Sequence, residues 1–203
     1  MTKASMAEAS MTEAAAAPAP VKLALRPAYF VMAAGAFAAM FIAILGPSLW
    51  FLTWVHIMFG VLWTGIDLFL GFVLGPIMRR LPLDMRRVMI GALIPRTMVL
   101  MPTLAIITGT AGYYLARRMG YMDLGYPEFY WVAAALAILA VLTVQGLGIL
   151  TPINIMVFLE MQKAQPDGEK VGRWMKIYVG IVASQGIMQV AMIVIMARFG
   201  SGL

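Results

Sequence analysis

Five long apolar stretches separated by short turns constrain this chain more than any other feature. A hydrocarbon core takes roughly 20 helical residues to cross, and the stretches at residues 28–45, 48–77, 89–116, 128–160 and 173–198 reach or approach that length. The expected fold class is all-α: a polytopic membrane helix bundle of five transmembrane helices over residues 28–203, behind a flexible N-terminal tail of residues 1–27. Composition agrees, since 63% of the 203 residues are hydrophobic and 12% charged, far from the usage of soluble domains. The first 20 residues mix Ala, Ser, Thr, Glu and Pro with no apolar run behind a basic start, so they do not resemble a cleaved secretory signal.

Two turns are legible. "LGPS" at 45–48 leads into the second span, with Pro47 suited to a first helical turn. The fourth stretch is too long for a simple span and carries Pro152 in "LTPIN", which predicts a kink or an extension beyond the membrane.

Cysteine is absent, which excludes disulfides, thiolate ligation, iron–sulfur clusters and cysteine nucleophiles. The net charge of +6 sits at the ends of the apolar runs, where it serves orientation and contact with lipid headgroups rather than nucleic acid. Lys22 and Arg26 precede the first span. Arg79, Arg80, Arg86 and Arg87 follow the second, and Lys163, Lys170, Arg173 and Lys176 surround the loop after the fourth. All fall at one end of an alternating bundle. The other end has Arg117, Arg118 and Arg198, with Asp123 and Glu128 beside the first two. Short basic loops stay in the cytoplasm, so the expected topology is N-terminus inside and C-terminus outside.

The residues able to carry chemistry are few. His56, the one histidine, Trp63 and Asp67 lie seven and four positions apart; at 100° per residue they share a helix face within about 20°. His56 and Asp67 stand roughly 16 Å apart along the axis, too far to form a catalytic pair or to ligate one metal ion. For Asp67 the sequence offers a buried ion pair with Arg96 of the third span, at comparable depth, or a proton-relay or ion-coupling carboxylate. For His56 it offers an interhelical hydrogen bond, axial ligation of haem in a slot left by Gly60 and Trp63, or another metal such as copper.

Arg96, Thr103 and Thr110 align on one face of the third helix, while Gln145, Asn154, Ser184, Gln185 and Gln189 add polar groups to the last two; such side chains serve as interhelical glue. The 19 methionines are dispersed, and the stripe Met188, Met192 and Met196 has the spacing of a surface that packs against neighbouring helices or lipid. Phosphate loops, metalloprotease motifs and a serine nucleophile elbow are absent from the sequence.

The pattern "HIMFGVLWTG" followed by "FVLGPIMRRLP", from His56 to Pro82, and "IITG" at 106–109 resemble the CopD-like group of bacterial membrane proteins, which includes copper-resistance proteins and the HemJ type of protoporphyrinogen oxidase. The resemblance covers spans two to five. It implies a four-helix core with the first span added, residence in the bacterial inner membrane, and a haem b or metal-associated bundle in which His56 matches the histidine of the first core helix. HemJ-type proteins are expected to carry further histidines and a membrane lysine; residues 129–160 have neither.

Three functional expectations follow: a redox-accessory bundle holding haem b through His56, Gly60 and Trp63 beside a partner protein or a second copy; a transporter of copper or another small solute, with Asp67 and Arg96 lining its path; and a structural subunit held together by its polar residues. None makes the chain an enzyme on its own.

Overall fold

The computed structural model describes residues 26–163 and 165–202; the tail expected to be flexible lies almost wholly outside them. The described residues form five long helices and no strand, and all five are long and apolar enough to cross a membrane. They are α1 (Pro27–Leu45), α2 (Leu49–Arg80), α3 (Leu83–Arg118), α4 (Phe129–Met161) and α5 (Gly168–Gly200). The all-α five-helix bundle is the fold. Each expected span is present, and α2, α3 and α5 run past their apolar stretches into charged ends.

Local chemistry sets the ends. Pro27 occupies the first turn of α1, where its missing N–H leaves no bond unmade. Ser48 caps α2 by accepting from the Phe51 N–H at 3.1 Å, and Asp167 caps α5 by accepting from Lys170 at 2.9 Å. Gly120 ends α3 with φ +73°, a left-handed conformation that suits glycine.

The kink expected at Pro152 takes a specific form, and Pro76 repeats it. Residues Phe69–Leu74 of α2 and Val144–Leu150 of α4 are wound as π-helix, immediately before Gly75-Pro76 and Thr151-Pro152. The N–H of Gly75 reaches Leu70 and that of Thr151 reaches Gly146, five residues back. A proline ring collides with the carbonyl four residues earlier in an α-helix, and widening the turn relieves that collision.

α3 lies at the centre, against α1, α2 and the second half of α4, while α5 lies against α4 and α2. Helices α2 to α5 therefore close a four-helix ring with α1 outside it. One core, of Met40, Ala43, Leu52, Val55, Ile107 and Ala111, fastens α1 to α2 and α3; a second, of Trp63, Leu104 and Leu142, joins α2, α3 and α4. Large apolar side chains such as Val31, Ile42 and Ile187 face outward, as contact with lipid tails requires.

Candidate functional site

The ring encloses a cavity of about 940 Å³. Its walls are mainly apolar, and Asp67 is the one carboxylate among its described lining residues. Thr97, Thr143, Thr151, Asn154, Tyr178 and Gln185 add polar groups, while Arg79, Arg86 and Lys176 stand at the end where α2 meets α3. Trp63 and Leu142 line the far part and belong to the buried cluster that includes Leu104, with Met188 packed on it.

Asp67 is held from α5. Gln189, buried, donates from Nε2 to Asp67 Oδ2 at 2.7 Å. The expected partner Arg96 is elsewhere: it is exposed, its guanidinium turns back to the Ala92 carbonyl, and it lies 6.0 Å from the ring of Tyr29 at the start of α1. The ion pair is therefore corrected to an amide–carboxylate bond. Depth in the membrane is set by position along a helix, but azimuth is not, and Arg96 occupies the α1 side of α3 while Asp67 looks into the ring.

His56 lies outside the cavity, wedged between α2 and α3. Its Nδ1–H donates to the Thr108 carbonyl at 3.0 Å. The helices are so close that a Cβ added at Gly112 would stand 2.6 Å from the imidazole Cε1, and one at Gly60 would stand 3.3 Å from the Thr108 methyl. The slot expected beside Gly60 holds α3, and Trp63 is committed to the cluster with Leu104 and Leu142. These residues do not fit a haem macrocycle at His56. Among the described residues no three His, Asp or Glu side chains converge as a metal site.

Most of the expected glue forms. Gln145 donates to Ser184 Oγ at 3.2 Å and Gln185 donates to the Leu142 carbonyl at 3.3 Å, both between α4 and α5, while Asn154 lines the cavity with Tyr178. Thr103 instead bonds its own helix, at Val99, and Thr110 lines the cavity. Met188, Met192 and Met196 are half-buried, as a packing stripe would be.

Three charged residues have roles that sequence reasoning missed. Arg118 donates to the carbonyls of Gly46 at 2.9 Å and Ile44 at 2.5 Å, closing the end of α1, and Arg86 donates to those of Arg79 and Leu81 at the end of α2. Buried Glu160 gathers Lys163 at 2.8 Å, Lys170 at 3.5 Å and the Asp167 N–H at 3.3 Å, which fixes the turn between α4 and α5. Helix ends leave carbonyls without partners, so a basic residue near such an end was the available signal.

No protein-family model, curated protein or solved structure matches this chain.

Proposed function

We propose that this multi-pass membrane protein binds a small solute inside its four-helix ring and passes it across the membrane, with Asp67 as the charge-bearing group of the path. One observation carries the reading: a cavity of about 940 Å³ lies among four membrane-crossing helices with Asp67 in its wall. A carboxylate at membrane depth is costly and marks functional pathways, and a cavity of this size, mainly apolar with a few polar groups in its wall, exceeds what interhelical glue needs.

The reading keeps the four-helix core implied by the CopD-like resemblance but moves the chemistry from His56 to the cavity. The membrane is the bacterial inner membrane, with the end carrying Arg79, Arg86 and Lys176 in the cytoplasm, following the bias of basic loops. His56 then serves the seam between α2 and α3.

The absence of cysteine provides the test. Thr97→Cys places a single thiol on the cavity wall. In oriented vesicles a charged, membrane-impermeant methanethiosulfonate is expected to label it from either side, as the cavity opens alternately. Failure of that reagent, with labelling by a lipid-soluble maleimide, would exclude a hydrated path.

A further inference from the structure

The cavity carries a feature that side chains alone do not reveal. Proline has no N–H, so each proline within a helix leaves a carbonyl without its donor. In α2 the Gly75 N–H goes to Leu70, and Pro76 has none to give; the carbonyl of Gly71 therefore lacks both its four-residue and its five-residue partner. The same reasoning applies in α4, where Thr151 reaches Gly146 and Pro152 follows, leaving Leu147. In α3 Pro102 lies within the helix and withdraws the donor from Met98. Gly71, Met98 and Leu147 all line the cavity.

These positions share a depth. Gly60 meets Thr108 across α2 and α3; eleven residues onward from Gly60 is Gly71, and ten back from Thr108 is Met98. Gly71 meets Val182 of α5, and Gly146 meets Gln185 on the same helix, within one turn. Three residues whose carbonyls have lost a helical donor thus form a belt in the cavity wall, one from each of three helices, and Asp67 lies one turn from Gly71 on α2. Behind the wall, Oε1 of Gln145 and of Gln189 are buried without a partner, while the unpartnered donor Arg86 Nε lies at the basic end of the cavity. Lining residues Arg79, Arg86 and Lys176 are not part of the belt: Arg79 is eight residues beyond Gly71, about 12 Å along the axis.

Deepening the reading above and resting on it, we infer that this belt binds a donor-only cationic group, a monovalent alkali ion or a primary ammonium, at the level of the Gly71, Met98 and Leu147 carbonyls. At the level of the belt, carbonyls left without donors favour a species that brings charge and donors and takes nothing in return. Carbonyls freed of their helical donor in membrane helices are available to cations where they line a cavity. With a single lining carboxylate, the site lacks the charge expected of a divalent-ion site.

The test follows thermal unfolding of the full chain in lipid nanodiscs at constant ionic strength, with choline chloride replaced by NaCl, KCl or ethylammonium chloride. Choline is bulky and has no N–H. The expected result is a rise in midpoint of roughly 5 °C as the bound species reaches about a hundred times its Kd. A response to Na⁺ or K⁺ identifies a bare ion, and a response to ethylammonium alone identifies the amine of an organic solute. Pro76→Ala with Pro152→Ala returns two N–H groups to the belt and is expected to shrink that response without lowering the midpoint in choline; Asp67→Asn is expected to shrink it as well. Equal midpoints in all four salts, or an undiminished response in the proline double variant, would overturn the inference. Thiol labelling at Thr97 involves no cation, so the belt can fail while the path stands.

Discussion

Gln189 of α5 donates a 2.7 Å hydrogen bond from Nε2 to Oδ2 of Asp67 in α2, joining residues 122 positions apart across the wall of the cavity. The bond gives the carboxylate a donor without neutralising it. Replacing Gln189 with Leu strands the carboxylate, at an expected cost of about 1–3 kcal/mol. Asp67→Asn keeps an acceptor for the same amide and removes the charge, so its stability is expected to stay within about 1 kcal/mol of the parent. Unfolding midpoints of the two variants in mixed micelles decide the order; an Asn variant weaker than the Leu variant would contradict this role for Gln189.

The seam at His56 predicts a coupled pair. A methyl at Gly112 would stand 2.6 Å from the imidazole, so Gly112→Ala is expected to destabilise the bundle by about 1–3 kcal/mol. Combined with His56→Ala, the added methyl has room, and a double-mutant cycle should recover most of that loss. Additive costs would mean that the two residues do not share the space.

Arg118 closes the end of α1 through two carbonyls, whereas neighbouring Arg117 has no such bond among those described. Arg118→Gln is expected to raise hydrogen exchange in the last turn of α1 by about tenfold, equivalent to roughly 1.4 kcal/mol of local stability. Arg117→Gln is expected to leave it unchanged. Equal exchange in both variants would remove the capping role.

At His56 the close approach of α3 leaves no slot for a macrocycle. Protein purified from haem-replete cells is expected to show no Soret absorbance that His56→Ala abolishes. A band lost in that variant would show that α2 and α3 part to admit haem.

The five spans were legible because hydropathy is a local property, and Pro152 marked the disturbance in α4 for the same reason. The equivalent disturbance at Pro76 had the same sequence signal in "LGP", but only the folded bundle places it level with Met98 and Leu147. What sequence could not supply was azimuth. Asp67 and Arg96 share an approximate depth, yet one faces the ring and the other the start of α1; Gln189, its true partner, is uncharged and offers no signal of attraction. Gly60 was read as making room for a cofactor, and it does make room, for Thr108. Small residues at a helix seam serve close approach as readily as they serve a pocket, and only the neighbouring helix distinguishes the two.

The central claim is a path through the ring, and thiol labelling from each face of the membrane tests it most directly. With Thr97→Cys as the single thiol and Val61→Cys on the lipid face as control, an impermeant methanethiosulfonate is applied to either side of oriented proteoliposomes. The account predicts that Cys at 97 reacts from both sides, as the cavity opens alternately, while Cys at 61 reacts from neither. Reaction at 97 from one side only would contradict it and leave a pocket rather than a path.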